Sequence, residues 1–74
     1  YQIPRLSKVN INIYNVRGQL VTNLLDEIVA PGVYEMTWNT SIQPSGIYFI
    51  QLNFDDQIDK GQNTRLIQKI VLMK

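Results

Sequence analysis

The sequence predicts an all-β fold, a small antiparallel β-sandwich formed by a single domain over residues 1–74. Three observations carry this reading. Ile, Val and Thr supply 20 β-branched residues against a single Ala, a bias that suits a pleated surface and costs side-chain freedom in a helix. Apolar and polar residues alternate along several short runs, which is the period of a half-buried strand. These runs recur every eight to twelve residues or so with Gly between them, the rhythm of a sandwich. Leu, Ile, Val and Phe make up 25 of the 74 residues, enough for one core. A domain this short buries only roughly 60–65% of the surface its unfolded chain exposes, so its stability is thin.

The elements follow in order. Val9, Ile11 and Ile13 alternate with Asn10, Asn12 and Tyr14, which predicts a strand over residues 8–16. Asn15-Val16-Arg17-Gly18-Gln19 turns the chain, since Gly18 accepts positive φ and the Asn15 side chain can bond its own turn. Residues 20–25 complete the hairpin. Pro31-Gly32 suits a type II turn, with Pro setting the first central position and Gly the second. Residues 33–38 read as a third strand, with Tyr34, Met36 and Trp38 inward and Glu35 and Thr37 toward solvent. A loop over 39–45, closed by Pro44-Ser45-Gly46, leads to a strand over 47–54 with apolar side chains on both faces, expected to be central. Residues 55–63 form a polar loop, and 64–73 the last strand, with Ile70 and Leu72 on one face and Lys69, Val71 and Met73 on the other. Tyr1-Gln2-Ile3 reads as the tail of a further strand ended by Pro4, which cannot donate to a ladder. The expected core is Val9, Ile11, Ile13, Tyr34, Met36, Trp38, Tyr48, Ile50, Ile70 and Leu72.

Composition excludes much chemistry. A net charge of +1 argues against a nucleic-acid binder that works by neutralising phosphates. Without cysteine there is neither a disulfide framework nor a thiolate metal site. Without histidine the commonest general base and metal ligand are gone. The run Ile70-Val71-Leu72-Met73 is far too short to span a bilayer, so direct membrane insertion is not expected. The N-terminus shows no signal-peptide pattern, and a chain opening on Tyr1 is expected to be cut from something longer. Charged residues are only 18% while Asn and Gln reach 14, an amide-rich surface that suits an extracytoplasmic protein.

Candidate sites meet the same test. Asp55, Asp56 and Asp59 near Gly61 suggest a cation loop, but an EF-hand-like loop needs Gly at the sixth position and Glu at the twelfth. Counting from Asp55, those positions hold Lys60 and Leu66, so a solvated acidic loop is preferred. Tyr14, Tyr34, Trp38, Tyr48 and Phe49 could stack on a sugar, yet alternation turns Tyr34, Trp38 and Tyr48 toward the core, where aromatics bury large areas. Asp26 and Glu27 are neighbours rather than a pair flanking a cleft. Ser7, Ser41 and Ser45 have no histidine to activate them. Asn39-Thr40-Ser41 fits a glycosylation acceptor, but its reading as the loop after Trp38 is preferred. No catalytic residue, metal site or cofactor is expected. Lys69 and Lys74 could be recognised by a partner or could keep an edge strand soluble.

The run Val9-x-Ile11-x-Ile13-Tyr14-Asn15-x-x-Gly18-Gln19-x-Val21 resembles the opening hairpin of the type A C-terminal sorting domains of the type IX secretion system. The same pattern occurs in the related Ig-like domain of flagellar hook-capping proteins. Pro31-Gly32-x-Tyr34, Trp38-Asn39, Ser45-Gly46-Ile47-Tyr48-Phe49 and Lys69-Ile70-Val71-Leu72-Met73-Lys74 continue the likeness in order. Two departures stand out: the family's first strand is truncated to Tyr1-Gln2-Ile3-Pro4, and the loop at 55–63 is longer than usual. The resemblance implies a small Ig-like sandwich, the sorting domain of a larger secreted or cell-surface protein. Its partners would be the secretion machinery and the upstream domain of the same precursor, and its route would run through the periplasm and outer membrane. It places the recognised residues on the final strand, at Lys69, Val71, Met73 and Lys74, and the turn glycines at Gly18, Gly32 and Gly46. Two other readings remain at this point, a non-catalytic accessory or interaction module and a carbohydrate-binding module.

Overall fold

A computed structural model describes residues 1–58, 61 and 63–73. Six strands form in chain order: β1 (Gln2–Ile3), β2 (Ser7–Asn15), β3 (Leu20–Val29), β4 (Gly32–Val33), β5 (Gly46–Asp56) and β6 (Asn63–Leu72). No helix occurs among the described residues. The strands make two antiparallel sheets, a pair β1-β4 and a four-stranded sheet in the order β3-β2-β5-β6. The fold is thus the small all-β sandwich that alternation and β-branching foretold. β5 lies between β2 and β6, the interior place its two apolar faces required.

β2 shows how the sequence builds the core. Ser7, Val9, Ile11 and Ile13 are buried, and the residues between them are half-buried. Ile11 stands opposite Leu25 on one side and Leu52 on the other. The short β1-β4 pair lies across this inner face, where Ile3 joins Val9, Ile11 and Val29 in one buried cluster. Tyr1, Leu24, Leu25, Tyr34, Ile50, Leu52 and Phe54 pack around it. Ser7 enters the interior because its hydroxyl donates to the Arg5 carbonyl at 2.8 Å.

The Asn15–Gln19 corner forms as its residues predict. The Asn15 side-chain oxygen accepts from the amides of Arg17 and Gln19 at 2.9 and 3.0 Å, and Gly18 adopts φ 79. A Cβ there would meet nothing within 4 Å, so the cost of substitution lies in the backbone alone. Gly18→Ala is expected to lower stability by about 1–2 kcal/mol, the cost of a left-handed L-residue, read from the shift of the urea midpoint.

Several expectations are corrected. Residues 33–38 do not form a strand; only Gly32–Val33 pairs, and the ladder closes with Tyr1 and Tyr34 exchanging backbone bonds at 2.8 and 2.9 Å. Residues 35–38 have the alternation of a strand but no backbone opposite them, and a strand exists only when paired. Gly32 is not the positive-φ corner of a turn: it sits inside β4, with the Tyr34 ring 3.4 Å from where its Cβ would be. β3 does not end at residue 25 but runs to Val29, held by pairing to Ser7 and Lys8 and by a Lys8–Asp26 ion pair at 3.3 Å. Gly46 opens β5 at φ 158, and β5 reaches Asp56. Of the expected core, Val9, Ile11, Ile13 and Tyr48 are buried. Tyr34, Trp38, Ile50, Ile70 and Leu72 are half-buried, and Met36 is exposed. Ile3 and Val29 take places in the core that the sequence reading had not given them.

Candidate recognition surface

The outer face of the four-stranded sheet is ordered by register. Across β2, β5 and β6 run three largely polar rows: Lys8-Asp55-Asn63, Asn10-Asn53-Arg65 and Asn12-Gln51-Ile67. Asn23 of β3 ties the last two together, its amide donating to the side-chain oxygens of Asn12 at 2.8 Å and Asn10 at 3.1 Å. Arg65 donates to Asn53 at 3.1 Å. The next row, toward the end of β6, is Tyr14-Phe49-Lys69, and beyond it Ile47 stands opposite Val71. One end of this face is therefore amide-rich and self-satisfied, while the other is apolar with one cation set in it.

The residues proposed from the final strand fall at that apolar end. Lys69 and Val71 share the outer face, Val71 at 58% exposure, and Met73 lies just past β6 at 83%. Lys74 lies outside the described residues. The structure adds what sequence reading missed, the surroundings of Lys69: Phe49 directly opposite and Tyr14 one strand further, both half-buried. Alternation placed Ile47 and Phe49 on a common face, but only the β5–β6 register shows which β6 residues they meet.

The other candidates resolve into structure. Asp55 belongs to β5, and Asp56 pairs with Arg5 at 3.2 Å and accepts the Ile58 amide at 2.8 Å. Asp59 lies outside the described residues, and no group of acids able to hold a metal ion occurs among the rest. Asn39 accepts the Ser41 amide at 3.0 Å, a local turn. The aromatics pack on one another. Tyr1 stacks on Tyr34 and Phe54 with centroids 5.5 and 6.3 Å away, and Trp38 meets Tyr48 edge-on at 5.1 Å and 69°. Tyr34 and Tyr48 donate their hydroxyls to the carbonyls of Ala30 and Pro44 at 2.6 and 2.7 Å. Burial pushes the Tyr1 hydroxyl above its ordinary 10.0, with Tyr34 and Glu27 adding to the shift. The Trp38–Tyr48 pair is not the coplanar platform that sugar stacking requires.

The chain is thus a small sandwich with an apolar end to the outer face of its larger sheet. The family model for the secretion system C-terminal sorting domain matches residues 2–72, and the chain belongs to that family. It is a C-terminal sorting signal for type IX secretion, serving a larger precursor bound for the cell surface or the medium. Domains of this family are in general non-catalytic. No curated protein and no solved structure matches the chain.

Proposed function

We propose that the secretion machinery reads the outer sheet face where β6 ends, with Lys69 and Val71 making contact above an apolar floor of Ile47, Phe49 and Tyr14, and with Met73 and Lys74 as further recognised residues. The observation that carries this is the register Tyr14-Phe49-Lys69. It sets a cation among apolar side chains on a face that is otherwise polar. Aromatic side chains in an apolar patch are common anchors of protein recognition, and a charge beside them adds electrostatic specificity. The precursor would cross the periplasm and then the outer membrane as folded cargo plus this domain.

The chain is read as one Ig-like domain over residues 1–74 whose first strand is truncated, with β1 confined to Gln2–Ile3. A cleft lined by Ile11, Leu24, Met36, Trp38, Ile50 and Leu52 lies on the inner face. A kinship with the Ig-like domain of hook-capping proteins is proposed on the residue pattern quoted above.

The test is Lys69→Ala with Lys74→Ala in the full precursor. Lys69 is exposed, and substitutions of exposed residues change stability by less than about 0.5 kcal/mol. Export is expected to slow about tenfold, the equivalent of about 1.4 kcal/mol of lost recognition, with precursor accumulating in the periplasm. Normal export of the folded variant would leave the lysines as edge protection only.

A further inference from the structure

We infer that β6 is an acceptor edge, to whose free side the secretion machinery adds an extended acidic strand. Part of the recognition then runs through backbone hydrogen bonds. The inference rests on the sorting role and deepens it.

The two edges of the four-stranded sheet are built differently. β3 is irregular: its pairing with β2 shifts between Ile11 and Asn12 and again between Ile13 and Tyr14, leaving Leu24 and Val21 with nothing opposite. Bulges twist an edge away from would-be partners. β6 is regular. Its residues pair with β5 from Asn63 to Leu72 without a shift, and it contains no proline. Such a strand offers a second row of N–H and C=O groups along about 33 Å, at roughly 3.3 Å per residue. It is also open on both faces, with Leu66 at 52% exposure on the inner side and Ile67 at 62% on the outer. An arriving strand would cover apolar side chains on each. A long, flat edge of this kind either aggregates or receives a partner strand.

Charge selects the occupant. β6 carries Arg65 and Lys69 and no acid. Both cations lie on the outer face, where like charges oppose pairing with a second β6. The β3 of another copy carries Asp26 and Glu27, but its two bulges deny it the straight register that β6 presents. What fits is a straight extended segment with acidic side chains facing Arg65 and Lys69.

Successive N–H groups of an antiparallel edge strand point alternately toward and away from the neighbour. Of Ile67→Pro and Gln68→Pro, one therefore breaks the β5 ladder, while the other removes only an outward donor. Protease resistance of the domain within the purified precursor tells them apart. The resistant proline variant is expected to be exported about tenfold more slowly than the alanine variant at the same position. Arg65→Glu, away from the apolar end, is expected to be exported about tenfold more slowly than Arg65→Gln. Equal rates within either pair would overturn the acceptor edge, and the Arg65 pair decides alone if neither proline variant resists protease. A wild-type dimer in sedimentation that Arg65→Glu tightens would assign the edge to a second copy, which also overturns it. The sorting role is read separately, from export of a precursor lacking the whole domain.

Discussion

Ile11→Ala is expected to leave much of the domain unfolded at physiological temperature. Ile11 is 2% exposed, lies between Leu25 and Leu52 in adjacent strands, and shares the buried cluster with Ile3, Val9 and Val29. Truncating a buried Ile costs about 2–5 kcal/mol, through lost transfer energy and the cavity left behind. A typical domain holds about 5–15 kcal/mol in total, and one of 74 residues belongs at the low end. Urea unfolding of the precursor, followed by tryptophan fluorescence of the domain's Trp38, measures the loss. A change below about 0.5 kcal/mol, the range of ordinary surface substitutions, would show that β2 does not carry the core. Met36→Ala, at 38% exposure, is the matched control.

The fold was legible where local pattern and pairing agree. In β2, Val9, Ile11 and Ile13 fall on one face in sequence and are buried in the structure. Asn15 and Gly18 announced the turn they make. The reading failed where pairing is not local. Residues 33–38 alternate as a strand should, yet alternation cannot supply a backbone to pair with, and the ladder stops with Tyr1 and Tyr34. β3 was cut short for the opposite reason. Its extra residues, Val21 and Leu24, break the period of two, and Asp26-Glu27 looks like a turn although both pair with β2. Val29 was hidden behind that charged step and Ile3 in a two-residue strand.

The proposed recognition surface was legible in part. Alternation put Lys69, Val71 and Met73 on one side, but nothing in the residues themselves separates recognition from edge protection; only the family pattern favours recognition. That Lys69 stands opposite Phe49 follows from the register of two strands joined by a loop whose length does not fix it. The contrast between a bulged β3 edge and a regular β6 edge is likewise a property of pairing.

The largest functional effect is expected from removing the domain altogether. Family membership over residues 2–72 makes it a sorting signal. The cargo should then fold and be stable without it, yet stay inside. The direct measurement is pulse-chase fractionation of the precursor, with and without residues 1–74, in cells with a working type IX system. The account predicts intact precursor reaching the surface or the medium and the truncated cargo retained in the periplasm. Truncated cargo appearing outside at the rate of the intact precursor would contradict it.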